Sequence, residues 1–279
     1  MKFSVFTVMM PDCTLEQTVQ LLQQEGYDGV EWRFTTPDPA RANEAPSFWG
    51  NNLSTVPANS SDEQLQAVAE LTRAHRLQVP NLAAYIAEGD LEATERAMKA
   101  AVILEAPSIR IAVPGYRANT NYWQALQEGR QYLAEVEKLS KQYGVKGAVE
   151  THHGNIACSA SAARRLVEGF DPEHIGIIYD PGNMVHEGYE SYRMGLEILG
   201  QYLAHVHVKN ARPRHNEQGS PAWQVQWSAI DEGQADWKQV IEALHAIGYD
   251  GWLSIEDFSM SKSTQETLKH HMEYLKSLL

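Results

Sequence analysis

Gly147-Ala148-Val149-Glu150, Ile175-Gly176-Ile177-Ile178-Tyr179-Asp180 and Leu203-Ala204-His205-Val206-His207-Val208-Lys209 are three short apolar runs, each closed by ionisable side chains and each separated from the next by a segment of helical period. Short, nearly unbroken apolar runs read as strands buried on both faces, the condition of a parallel sheet. Parallel neighbours need a long crossover, and a helix supplies it. The unit of the fold is therefore strand then helix.

The alternation continues outward in both directions. Upstream, the pattern predicts strands over 3–9, 29–34, 78–85 and 108–113, with helices over 14–25, 61–76, 91–104 and 121–143. The central strands over 145–150, 175–180 and 203–209 are spaced by helices over 159–170 and 191–199. Downstream follow a helix over 237–247, a strand over 251–256 and a last helix over 264–279. Thr14 with Gln17 is a capping pattern, and Gly26 marks a helix end. Eight such units over residues 1–279 predict one α/β domain, a closed (β/α)8 TIM barrel with its chemistry at the C-terminal strand ends. An open doubly wound sheet is the alternative, but it favours a Gly-rich turn after the first strand, and here that turn reads Met10-Pro11-Asp12-Cys13.

Composition narrows the partners. Lys plus Arg is 23 against 36 for Asp plus Glu, a net charge of −13 that argues against a general nucleic-acid binder. Two cysteines, Cys13 and Cys158, make no disulfide framework. No apolar stretch approaches the ~18 residues of a membrane helix. The apolar start Met1 to Met10 leads into Pro11 without a cleavage pattern and reads as a strand. These features predict a cytoplasmic protein without a membrane partner.

Glu150, Asp180, His207 and Glu256 each close or nearly close a strand, on four consecutive strands and at one end of the barrel. One acid at a strand end reads as a solvated or ion-paired residue. Four potential ligands at one rim read as a site, because converging buried carboxylates are costly unless a cation joins them. One imidazole with three carboxylates suits Mn²⁺, Mg²⁺ or Co²⁺, and Zn²⁺ to a lesser degree.

With Gly29-Val30-Glu31-Trp32-Arg33, Glu150-Thr151-His152-His153-Gly154-Asn155, Asp180-Pro181-Gly182-Asn183, His205-Val206-His207-Val208-Lys209-Asn210 and Ser254-Ile255-Glu256, the chain resembles the xylose isomerase-like barrels known as sugar phosphate isomerases and epimerases. That group includes ketose 3-epimerases, hydroxypyruvate isomerase and inosose dehydratase. The resemblance implies a divalent metal, Mn²⁺ first, held by Glu150, Asp180, His207 and Glu256, with Glu150 and Glu256 as the acid/base pair. It also implies oligomerisation. Three positions depart from the ketose 3-epimerase pattern: Asn183 replaces a histidine, Ile156 replaces a substrate-binding glutamate, and Asn210 replaces an aspartate.

The resulting expectation is a metal-dependent isomerase or epimerase of a small sugar or polyol ketone, working through an enediolate. The alternative is a lyase or dehydratase acting on an inosose or 3-keto glycoside, in which the same proton abstraction is followed by elimination. An apurinic endonuclease would need further histidines on the early strands, and the predicted strands two to four contain none. A sugar sensor without turnover is the non-enzymatic reading. Expected substrate contacts are Glu31 and Arg33 from strand two, His153 and His186 as proton-exchanging groups, Asn183, Lys209, and Trp49 and Arg212 from the loops 35–60 and 210–236. The arginines are not accompanied by a phosphate-cradling Gly-rich loop, which favours an unphosphorylated substrate.

Overall fold

The computed structural model describes residues 1–217 and 219–279; Gln218, within the predicted loop 210–236, lies outside the described residues. The strands are β1 (Lys2–Phe6), β2 (Gly29–Glu31), β3 (Arg33–Thr35), β4 (Thr55–Pro57), β5 (Ala83–Ala84), β6 (Ser108–Ile111), β7 (Lys146–Glu150), β8 (Ile175–Tyr179), β9 (Leu203–Val208), β10 (Asn210–His215), β11 (Trp223–Ser228) and β12 (Trp252–Ile255). The helices are α1 (Leu15–Glu25), α2 (Asp62–Ala74), α3 (Leu91–Ile103), α4 (Tyr122–Tyr143), α5 (Ala160–Val167), a single turn α6 (Pro181–Met184), α7 (Tyr192–Leu199), α8 (Trp237–Ala246) and α9 (Thr264–Leu278). Their starts follow the side chains: Thr14–Gln17, Ser61–Gln64 and Ser263–Glu266 form reciprocal capping boxes at α1, α2 and α9.

Seven strands run in the order β2-β1-β12-β9-β8-β7-β6, every neighbouring pair parallel. Residues 78–84 close the ring: Gln78 bridges Gly29, β5 pairs with β3, and Leu82 bridges Ile109. The predicted eight-stranded barrel is the observed fold. The strand expected over 78–85 is reduced to β5 and two isolated bridges, because Pro80 has no N–H to give to a ladder.

Other boundaries move for local reasons. The first strand stops at Phe6 rather than Met9 because Thr7 trades the ladder for side-chain bonds, its hydroxyl accepting from Arg33 N (2.9 Å) and donating to Ser54 O (3.1 Å). β4, inside the predicted loop 35–60, then takes the place of β1 beside β3, pairing Arg33 with Thr55. In the predicted loop 210–236 the chain forms a hairpin, β10 against β11 from Asn210↔Ser228 to His215↔Trp223.

The main core lies between the outer face of the barrel and the helices. Gly147 lets α4 press onto β7, since a Cβ there would lie 2.6 Å from Val136 Cγ1. A smaller apolar cluster of Phe6, Val8, Ala83 and Phe258, with Phe48 and Trp227 packed on it, sits apart at the barrel mouth. No helix among the described residues is long and apolar enough to cross a membrane.

Candidate active site at the strand ends

The parallel register brings the C-terminal strand ends together. Glu150 ends β7, Asp180 follows β8 and caps α6 by accepting from Asn183 N, His207 lies in β9, and Glu256 follows β12 with its N–H bonded to Val208 O. One donor atom from each of these four buried residues lies within 4.8 Å of all the others. Gly182 permits this closeness, because a Cβ there would stand 2.6 Å from the carbonyl oxygen of Lys209.

His207 is held from both sides. Its Nε2 lies 3.1 Å from Glu31 Oε1 and its Nδ1 3.0 Å from Glu150 Oε1, while Asp180 Oδ2 and Glu256 Oε2 are each 4.0 Å from Nδ1. Burial opposes protonation of this imidazole, yet Glu31 and Glu150 more than offset it and hold its pKa well above the usual histidine value. Glu31 is itself fully bonded: Oε2 faces His205 Nε2 at 2.9 Å, and Oε1 also accepts from Asn81 Nδ2 at 2.7 Å. A carboxylate on the far nitrogen of a histidine fixes the ring so that the near nitrogen is presented to a metal. The donor set therefore fits a divalent ion, with Nδ1 and three carboxylate oxygens as candidate ligands. Glu31, His205 and His207 form a second close group, but its carboxylate oxygens are already taken up by two imidazoles and an amide.

Two cations adjoin the acids, Lys209 buried and Arg110 partly so. Lys209 Nζ is 2.9 Å from Asp180 Oδ2 and 2.5 Å from Glu256 Oε2, and Arg110 Nη1 is 3.1 Å from Glu150 Oε2. Burial pushes the Glu150 carboxyl up, but Arg110 and His207 pull it well below the usual carboxylate range. Asp180 goes the other way, to about 6, because burial outweighs Lys209 and the Glu150 and Glu256 charges add to it. Asn183 ties the group together, its Nδ2 lying 2.8 Å from Asp180 Oδ2 and 3.3 Å from Glu150 Oε1, and its Oδ1 3.2 Å from His153 Nδ1.

A cavity of about 650 Å³ opens above these strand ends. Glu150, Glu256, Lys209 and Arg110 line it, with His152, His153 and Asn155 on one wall and Trp49, Tyr85, Trp227 and Phe258 as aromatic surfaces. His152, His153 and His186 stack with ring centroids 4.3 and 4.0 Å apart, and Trp227 lies 4.7 Å from His186. Burial, His152 and Lys209 bring His153 down to about 4, and burial, His153 and Lys209 do the same for His186, so both are neutral near pH 7.

A sequence model of the xylose isomerase-like TIM barrel matches residues 19–278. The chain belongs to that family. Among curated relatives, an inosose dehydratase of Geobacillus thermodenitrificans is 28% identical over 145 residues, 48% of this chain and 46% of that protein. The chain thus matches about half the length of that relative. Among solved structures, a 3-keto-D-glucoside 4-epimerase from E. coli superposes with a TM-score of 0.74 at 15% identity, covering 99% of both chains. The IOLI protein with a bound zinc atom superposes at 0.72 and 16% identity, covering 100% of this chain and 96% of that one. At these identities the two structures establish the fold alone.

Within this family frame the other predicted contacts separate. Trp49, His153 and Lys209 line the cavity, whereas Glu31 and Arg33 do not. Glu31 lies behind His207 and bonds to His205, His207 and Asn81; Arg33 is buried behind Tyr85, its Nη1 bonded to Thr55 Oγ1 at 2.5 Å. Asn183 is buried and His186 stands behind His153, neither lining the cavity. Arg212 is no cavity residue: the hairpin carries it outward, half exposed, 3.8 Å from Glu232. Ile156 packs against the site of Gly129 on α4, and Asn210 clamps Ile230 and Ala235, so both positions are structural here. Sequence reasoning missed Arg110, Tyr85 and Phe258 in the cavity and His205 behind it. The alternation Ser108-Ile109-Arg110-Ile111, a cation inside a buried strand, was the available signal for Arg110.

Proposed function

We propose that this chain is a divalent-metal-dependent isomerase or epimerase of a small, unphosphorylated sugar or related polyol ketone, with Glu150, Asp180, His207 and Glu256 as metal ligands. One observation carries the reading: of these four clustered residues, Glu150 and Glu256 border the cavity, while Asp180 and His207 lie behind them. A divalent ion held by these four residues would supply Lewis acidity toward a hydroxyl and an adjacent carbonyl oxygen, making the C–H of the hydroxyl-bearing carbon more acidic. Glu150 and Glu256 then remove and return the proton over a short path. Arg110 holds Glu150 ionised for the accepting role. Trp49, Trp227 and Phe258 cover apolar sugar faces and exclude water, and Lys209 and Arg110 give positive charge to oxygens that become negative.

The similarity to inosose dehydratase favours a second reading, elimination after the same proton abstraction. In it, the proton taken up by Glu150 or Glu256 is passed to the departing oxygen, which leaves as water or as the aglycone alcohol past neutral His153 on the cavity wall. Incubation of ketoses, inososes and 3-keto glycosides with Mn²⁺ in deuterated water, followed by NMR, separates the two. Isomerisation gives a deuterated product of unchanged composition; elimination gives loss of water or an aglycone. Turnover of none of these classes with Mn²⁺, Mg²⁺, Co²⁺ or Zn²⁺ overturns both.

A further inference from the structure

Lys209 holds the two inward oxygens of the candidate metal group. Asp180 Oδ2 and Glu256 Oε2, each 4.0 Å from His207 Nδ1, are the atoms that its ammonium contacts at 2.9 and 2.5 Å. A divalent ion bonds such oxygens at about 2.0–2.6 Å. An ion and an ammonium cannot share these oxygens at those distances without placing two positive charges almost in contact. The backbone of Lys209 cannot yield, since Gly182 packs on its carbonyl, which also accepts from Trp237 Nε1 at 3.3 Å. The side chain can, because its ammonium already lies 5.0 Å from the Trp227 ring and 5.5 Å from the Phe258 ring, both on the cavity wall. Cations rest favourably on such faces.

We propose that Lys209 is a tethered cation that competes with the divalent ion for Asp180 and Glu256, and that ion binding turns its ammonium toward Trp227 and Phe258, where it meets a substrate oxygen. The inference rests on the metal-site reading above. Loading the ion thereby creates the substrate-binding cation, and the order of binding is ion first.

The test uses Mn²⁺ alone, by calorimetry, on the full chain. Lys209→Met keeps the length of the side chain and removes the charge. Mn²⁺ is expected to bind this variant at least tenfold more tightly than wild type, and the melting temperature without metal is expected to fall by roughly 5–10 °C, as for a broken buried pair. A lower melting temperature with unchanged or weaker Mn²⁺ binding makes Lys209 merely structural and overturns the proposal. Should the variant not fold, wild type still decides: the slowly exchanging side-chain ¹⁵N signal of a buried lysine ammonium is expected to move on saturation with Mg²⁺, and an unmoved signal overturns the competition. Wild type and variant both failing to bind Mn²⁺ overturns the metal site itself, whereas binding to wild type without tightening in the variant overturns only the role of Lys209.

Discussion

Glu31 and His207 meet at 3.1 Å with both side chains fully buried, and this contact decides which nitrogen of His207 faces the three other acids. Glu31→Gln keeps the shape and removes the charge. Divalent-ion affinity is expected to drop by about 10–100-fold, the usual cost of removing a partner behind a ligating histidine. Calorimetric titration with Mn²⁺ checks this, and an unchanged affinity would place the ion elsewhere.

Glu256→Gln is expected to lower turnover by about 10²–10⁴-fold, the range for losing a general acid or base, with hydrogen exchange at the substrate C–H lost in parallel. Strand-end carboxylates considered alone suggest that this change relieves repulsion. The 2.5 Å contact from Lys209 reverses the sign: the variant without metal is expected to be less stable by about 1–3 kcal/mol, because an amide oxygen is a poorer partner for a buried ammonium. Denaturant unfolding in the presence of a chelator measures it.

The stacked imidazoles add a pH dependence of definite sign. His153 and His186 are held at about 4, below the ordinary histidine value of 6.5, so the unfolded chain binds more protons between those limits. Their contribution is complete above pH 6.5 and is lost as pH falls toward 4. Asp180, raised from 3.8 to about 6, acts in the opposite sense over its own interval. The histidine part is therefore read as a difference: His186→Phe, which keeps the stack, is expected to lose less stability than wild type between pH 6.5 and 4 in melting curves.

Arg110 and Arg212 make a matched pair of tests. Arg110→Met removes the guanidinium 3.1 Å from Glu150 and is expected to lower kcat/KM at least ~10-fold, as for other charge-stabilising donors. Arg212→Ala changes an exposed side chain and is expected to leave kcat/KM within about twofold. Steady-state kinetics on the substrate class found in deuterated water distinguishes them.

Where local chemistry dominates, the sequence was readable. Thr14, Ser61 and Ser263 announce their helices, and Glu150, Asp180, His207 and Glu256 stand at strand ends because the barrel puts them there. Legibility failed where a side chain replaced a backbone partner: Thr7 ends β1 early, and Pro80 thins the third strand. It failed again for side chains whose role depends on distant neighbours. Glu31 looked like a cavity or surface residue, yet its partners His205 and His207 lie more than 170 positions away. The hairpin had a usable signal in Trp223-Gln224-Val225-Gln226-Trp227, an alternation of period two hidden within a polar, proline-containing stretch.

Asn210 fastens the base of that hairpin, its amide donating to Ile230 O at 2.6 Å and Ala235 O at 2.9 Å while its carbonyl accepts from Ala211 N and Ala235 N. The knot isolates what lies on either side of it. Inward is Lys209 with its acids; outward is a ribbon that reaches the cavity through Trp227. Substitutions along the ribbon can thus reshape the cavity roof while the acid-lined floor keeps its geometry. A barrel built in this way can change what its cavity admits without disturbing the charged groups beneath it.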